Sequence, residues 1–255
     1  MKSTTAKLEK SRRIPPPEKL LDTAGGEDEV SEGNGNGKRG LKGHKLDIKI
    51  GAPNIQTVCF EIVGTSPLVV HRFSQKAIDE MLEKMINPPK PGTRVQRKPL
   101  DPEGLYNAAR FVCHQGGEKW DGFNAAGLRC AMISACRLGR AKMQIAKISI
   151  FINADGLDHD QPQFNLIRIY GQRKRFDSIG RLDSGVPNPI YRPMYWPWSA
   201  KLRISFDTDQ FTVEDIGNLL TRVGMQIGLC EGRPDSKNSA GQGWGLFRVK
   251  QEGEK

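Results

Sequence analysis

The most constraining stretch of the chain is its C-terminal part, where an apolar period of two gives way to a helical period and then to glycine. Trp198–Phe206 alternates, with Ala200, Leu202, Ile204 and Phe206 on one face, the pattern of a strand buried on one side. Thr212 then precedes Val213-Glu214-Asp215, an N-cap followed by acid in the first turn, and Ile216, Leu219, Leu220 and Val223 recur at helical spacing. A glycine-rich connection, Gly228 to Gly245, separates this helix from a final strand, Gly245–Val249. A helix between two strands covers one face of a sheet, so further strands are required upstream.

Those strands are readable. Thr57–Val63 is rich in β-branched and apolar residues and stops at Gly64. After Pro67, Leu68–Phe73 can extend it around a bend. Ser74 reads as the N-cap of a short helix carrying Ile78, Met81, Leu82 and Met85, which Asn87-Pro88-Pro89 ends. Residues 87–102, rich in proline, read as a loop. A second helix is expected around residues 103–114 and a third over 125–143, where Leu128, Met132, Ala135, Cys136 and Gly139 make one face. A strand over 147–152 follows, then an irregular insertion, 155–197, with a short strand near 166–170. The order strand, helix, strand, strand, helix, strand is the split β-α-β unit repeated. It predicts an α+β, ferredoxin-like (RRM-like) antiparallel sheet with two backing helices and helical and thumb-like insertions. Residues 1–45 carry too few apolar side chains to offset the entropy of ordering and read as a disordered basic tail. Residues 46–255 then form a single domain.

Charge bears on the partner. The 39 Lys and Arg against 29 Asp and Glu leave a formal charge of +10. Residues 163–203 are the most lopsided, with Arg168, Arg173, Lys174, Arg175, Arg181, Arg192, Lys201 and Arg203 facing only Asp177 and Asp183. Such a cluster either attracts phosphates by releasing their counterions or is a solvated basic face. No apolar run reaches the roughly 20 residues of a membrane helix, and the N-terminus has no apolar signal segment, so a cytoplasmic protein is expected. Cys59, Cys113, Cys130, Cys136 and Cys230 are scattered without a C-x-x-C pair, which argues against a disulfide framework and a zinc ribbon.

The candidate site residues follow from these patterns. The glycines of the 228–245 connection permit close backbone approach, and Arg233 and Lys237 within it can face a phosphate. A flexible turn is the other reading. No Gly-Lys-Ser/Thr and no helix follow it, so it is not a P-loop. Tyr191, Tyr195, Trp196 and Trp198 interleave with Arg192, which suits base stacking on a single strand, or else the tryptophans lie as a lid on the core. Arg173-Lys174-Arg175 cannot all be buried and are candidate phosphate contacts. His71, beside Arg72, is the candidate general acid or base, as a metal-independent ribonuclease needs, or a structural histidine. Asp155, Asp158, His159 and Asp160 suit a divalent cation or a polar turn. No metal or cofactor is expected.

The connection ending Gly243-Trp244-Gly245 before a strand resembles the signature of the RAMP superfamily, the RNA-binding backbone proteins of CRISPR effector complexes. Gly64-Thr65-Ser66-Pro67-Leu68 and Gly122-Phe123-Asn124-Ala125-Ala126-Gly127-Leu128-Arg129-Cys130-Ala131-Met132 are similar to two further stretches of that family. The resemblance implies that Gly243, Gly245 and Arg129 approach RNA phosphates and that residues 155–197 serve as a thumb. Ser66–Phe73 and Gly245–Val249 also resemble a group of uncharacterised bacteriophage and prophage proteins. Together these imply a binder of single-stranded RNA or DNA acting as a homo-oligomer or within a multi-subunit nucleoprotein complex. A structural protein of a phage or virus-like particle and a ribonuclease are the alternatives.

Overall fold

The computed structural model describes residues 51–73, 75–88, 99–139, 141–181, 187–236 and 241–251. Along the chain these form β1 (Ile55–Gly64), β2 (Leu68–Val69), α1 (Gln75–Ile86), α2 (Pro102–Ala108), β3 (Phe111–Gln115), β4 (Glu118–Asn124), α3 (Ala125–Gly139), α4 (Met143–Ser149), β5 (Ile150–Asn153), β6 (Gly156–Leu157), β7 (Asn165–Arg168), β8 (Tyr170–Arg181), β9 (Pro187–Asp207), α5 (Val213–Arg222) and β10 (Phe247–Val249). The tail expected over residues 1–45 lies outside the described residues.

The second half of β9 is the axis of the main sheet. It pairs antiparallel with β1 from Ile55↔Asp207 to Val63↔Ser199, and on its other side with β5 from Ile150↔Phe206 to Asn153↔Arg203. β10 closes the outer edge of β1, Ile62 opposite Val249. The spatial order is therefore β10-β1-β9-β5, all antiparallel, with α3 lying between β1 and β5 in the chain and α5 between β9 and β10. This is the α+β, ferredoxin-like arrangement. Period-two alternation decides which face is covered: Ala200, Leu202, Ile204 and Phe206 of β9 and Ile62 of β1 are buried with α3 residues Leu128, Met132, Ala135 and Cys136 and α5 residues Ile216, Leu219 and Leu220 in one core. α5 starts where its cap dictates, since the Thr212 hydroxyl accepts from the Asp215 amide at 3.1 Å and the Asp215 carboxylate accepts from the Thr212 amide at 2.9 Å.

Four expectations require correction. The helix over 103–114 ends at Ala108, because Phe111–Gln115 pairs with Glu118–Asn124 as a hairpin. Gly116 and Gly117, at φ 67° and 80°, supply the two left-handed residues of its tight turn. The helix over 125–143 stops at Gly139, and the first half of the strand expected over 147–152 is instead the end of the short α4, with β5 starting at Ile150. The described residues of the insertion, 155–181 and 187–197, are built largely of paired strands. Its first part adds β6 and β7 to the β3-β4 hairpin in a second sheet of order β3-β4-β7-β6. Its second part is the long β8-β9 hairpin, paired from Tyr170↔Ser199 to Arg181↔Pro187, which carries the sheet outward as the thumb.

The insertion is anchored through an ion pair buried against the start of the fold. Arg72, 7% exposed, donates to Asp158 at 2.7 Å, to Asp160 at 2.8 Å and to the Ala108 carbonyl at 3.1 Å. Asp158 also accepts from the amides of Val112 and Gln161. Arg72 and these carboxylates thus tie the chain after β2, α2, β3 and the insertion together. Among the described residues no group of three His, Cys, Asp or Glu is arranged to hold a metal ion.

Candidate nucleic-acid interface

The two glycine-bearing stretches at the ends of β1 and β10 are sewn to each other. Thr65 N donates to the Leu246 carbonyl at 2.9 Å and Gly245 N to the Pro67 carbonyl at 2.8 Å, while Leu246 N donates to the Ser66 hydroxyl at 2.9 Å. The connection from Gly228 lies against this seam, with Leu229 N donating to the Gly245 carbonyl at 3.0 Å and Glu231 N to the Val69 carbonyl at 3.0 Å. Gly243 and Gly245 both hold φ near +70°, but their surroundings differ. A Cβ on Gly245 would overlap the Leu229 carbonyl oxygen and lie 2.7 Å from its nitrogen, whereas one on Gly243 would meet nothing within 4 Å. Gly245 is a packing glycine. Gly243 presents open backbone.

Beside this loop runs a groove of about 770 Å³ whose walls come from five separated stretches: Val70 and His71 after β2, Phe111 of β3, the end of β4 with α3 from Phe123 to Arg137, Met143 and Lys147 of α4, and the stretch from Ile227 to Ser236. Its charges sort into paired and unpaired. Arg137 meets Asp235 at 2.9 Å, which also accepts from the Ser134 hydroxyl at 2.7 Å; the Ser134 hydrogen bond and then Arg137 hold the Asp235 carboxyl below its usual range. Arg192 of β9 reaches Glu231 at 2.7 Å. Arg233 donates to the Cys230 carbonyl at 3.0 Å and acts on the Asp235 carboxylate through its charge, but neither Arg233 nor Lys147 forms an ion pair among the described residues. The His71 imidazole lies 3.6 Å from Glu231 and 3.4 Å from Arg192. Burial, and then the charge of Arg192, hold its pKa below the ordinary value against the opposing pull of Glu231. Burial pushes the Cys230 thiol up to about 12, so it is a neutral thiol and not a nucleophile.

The thumb hairpin leans on the same loop. Phe176 of β8 packs edge-on against Trp244, ring centroids 5.2 Å apart, and the Arg192–Glu231 pair lies beside this contact in register, Phe176 opposite Arg192. Strand alternation then separates the adjacent cations of β8. Arg173 and Arg175 point to the other face, where Arg173 meets Asp121 at 2.6 Å and Arg175 meets Asp177 and Glu103 at 2.9 and 3.1 Å. Lys174 shares the face of Phe176 and Arg192 and has no carboxylate partner among the described residues.

The remaining sequence candidates fall in different places. Tyr195 is buried, with its hydroxyl donating to Asp121 at 3.0 Å. Burial and the Asp121 carboxylate push its phenol far up, so it is a core group and offers no stacking face. Trp198 is the lid residue: it is 2% exposed and its indole N–H donates to the Ser66 carbonyl at 2.8 Å. Trp196 is 40% exposed. Arg129 points away from the glycine loop and runs along the free edge of β5, donating to the Ile150 carbonyl at 2.8 Å and to the Lys147 carbonyl, its guanidinium over the Phe151 ring. Lys237 lies outside the described residues. Lys147 carries no signal in the sequence because its stretch reads as a strand and not as α4; the alternation of β9 does carry one, since it sets Lys201 and Arg203 on the face opposite the core.

No protein-family model matches this chain, and no curated protein does. Among solved structures, it is similar to a chain in the cryo-EM structure of the Type III-B Cmr-beta bound to cognate target RNA, with a TM-score of 0.37 and 12% identity. The alignment covers 77% of this chain and 59% of that one, so this chain spans less than two thirds of that neighbour's length.

Proposed function

We propose that this chain holds single-stranded RNA or DNA in the groove between the glycine loop, the first turns of α3 and the thumb. The observation that carries the reading is convergence: Lys147 of α4 and Arg233 of the glycine loop, neither in an ion pair among the described residues, line one groove, while Gly243 presents open backbone in that loop and Lys174 shares the thumb face that packs on it through Phe176 and Trp244. Unpaired cations around exposed main chain are the chemistry of sequence-independent phosphate contact. The exposed Trp196 of β9 offers a stacking surface. The motif resemblance to RAMP proteins extends the reading to several copies along one strand, and the separate resemblance of Ser66–Phe73 and Gly245–Val249 to bacteriophage and prophage proteins extends it to a phage-linked nucleoprotein complex. His71 has a positioning role in this account, through Glu231 and Arg192, and no catalytic one.

A triple variant, Lys147→Ala, Lys174→Ala, Arg233→Ala, tests the proposal in a mobility-shift series over salt concentration. Three lost phosphate contacts make the slope of log affinity against log salt shallower by about 2 for a single strand, equally for all sequences. An unchanged slope overturns the assignment. A second reading, a structural subunit working through protein contacts, is favoured by one observation: α1 exposes Met81, Leu82, Met85 and Ile86.

A further inference from the structure

The ferredoxin-like sheet has two faces, and only one is covered by α3 and α5. On the other, register places a single stripe of side chains along β9. Phe151 stands beside Ser205, Asn153 beside Arg203, and Tyr170 beside Ser199, with Lys201 between. Phe151 and Tyr170 are 42% and 41% exposed, unusual for rings in the middle of a polar surface. The surface between them is polar and hydrogen-bonded, with Ser205 linked to Thr57 and to Asn153 at 2.8 Å each.

Each ring carries cations at its face. Arg168 lies 5.2 Å and the Lys201 ammonium 6.0 Å from the Tyr170 centroid, and Arg129 lies 5.3 Å from that of Phe151. Arg168 and Arg203 are partly offset by Glu118 and Asp155, and Glu61 turns to Lys250 at 3.5 Å. Lys201 has no carboxylate partner among the described residues, and Arg129 bonds only to carbonyls. The six residue steps from Ser199 to Ser205 set the two rings about 20 Å apart along β9, a span of several nucleotides.

We infer that this uncovered sheet face is a second single-strand site, separate from the groove, in which bases stack on Tyr170 and Phe151 while Lys201 and Arg129 take the intervening phosphates. Aromatic rings interleaved with cations on a polar field match the chemistry of bases and phosphates. A protein-docking face of this size requires a continuous apolar centre, which the serine, threonine and asparagine between the rings deny.

The test uses the full chain and a fluorescein-labelled oligo-uridine, read by anisotropy. Tyr170→Ala and Phe151→Ala each lower affinity about 5- to 150-fold, and Tyr170→Phe restores it, since the ring and not the hydroxyl stacks. Thermal melting beside each measurement separates lost binding from lost fold. If Tyr170→Ala and Phe151→Ala melt as the wild type and bind with its affinity, the second site is overturned while the groove proposal stands. If they weaken binding while the groove triple variant does not, the sheet face holds the strand and the groove proposal fails. If they leave anisotropy unchanged but alter the elution volume of the chain, the face docks protein and the inference is overturned.

Discussion

Replacing Gly245 and Gly243 separately by alanine should give two different phenotypes, although both glycines hold φ near +70° in the same loop. A left-handed non-glycine residue costs about 1–2 kcal/mol, and this applies to both. At Gly245 the added methyl also meets the Leu229 backbone, 2.7 Å from its nitrogen, and overpacking of this kind adds about 1–3 kcal/mol. The total of about 2–5 kcal/mol lowers the melting midpoint by about 4–20 °C for a domain of this size. At Gly243 nothing lies within 4 Å, so only the backbone cost remains, a shift of about 2–8 °C. Binding should reverse the order of interest: with the fold intact below its midpoint, Gly243→Ala weakens single-strand affinity because the methyl occupies the approach to the main chain. The assays are circular-dichroism melting and oligonucleotide affinity at a temperature where both variants are folded. A Gly245→Ala variant that melts as the wild type would refute the packing argument, and a Gly243→Ala variant with wild-type affinity removes Gly243 from the site.

Other outcomes follow from the same structure. Asp158→Ala leaves Arg72, 7% exposed, with the exposed Asp160 as its remaining carboxylate and strips the Val112 and Gln161 amides of their acceptor, so it should cost about 3 kcal/mol, the lower end for a broken buried pair; a melting shift below about 3 °C contradicts that role. Thr212→Ala removes the capping box of α5 and should cost about 1 kcal/mol without changing affinity, which melting and anisotropy on one sample decide. His71 has a folded pKa below its ordinary value, so the unfolded chain binds the extra proton first. Its share of stability is full above about pH 6.5 and declines as pH falls from there toward the folded value. His71→Asn should therefore flatten the melting-point decline between pH 7.5 and 5.5, and an unaltered decline assigns that dependence elsewhere. Asp215 and Asp235 act in the acid range: their folded values are depressed by the Thr212 and Ser134 hydrogen bonds first, so their contribution is present above the usual carboxylate pKa and lost as pH falls through the folded values.

Much of the fold is legible because it is locally encoded. The alternation of Ala200, Leu202, Ile204 and Phe206, the Thr212 cap and the helical spacing behind it each need only neighbours in the chain, and together they establish half of the sheet. The β3-β4 hairpin is harder to read, since Phe111–Gln115 continues a helix-compatible stretch and only pairing across Gly116-Gly117 makes it a strand. The site is less legible than the fold for a similar reason. Arg173, Lys174 and Arg175 are equivalent in sequence, and what distinguishes them is Asp121 and Glu103, carboxylates delivered by β4 and α2 from far upstream. Arg129 likewise depends on which edge of the sheet stays unpaired. Gly243 and Gly245 look alike until Leu229 is seen against one of them.

The account rests on phosphate contact, and the most direct measurement is the affinity of the wild-type chain for a single-stranded oligonucleotide over a salt series. With Lys147, Lys174 and Arg233 each meeting a phosphate, log affinity should fall linearly with log salt at a slope of about −2 or steeper, for RNA and DNA strands of any sequence. Absence of binding at low salt, or a slope near zero, would contradict the central claim.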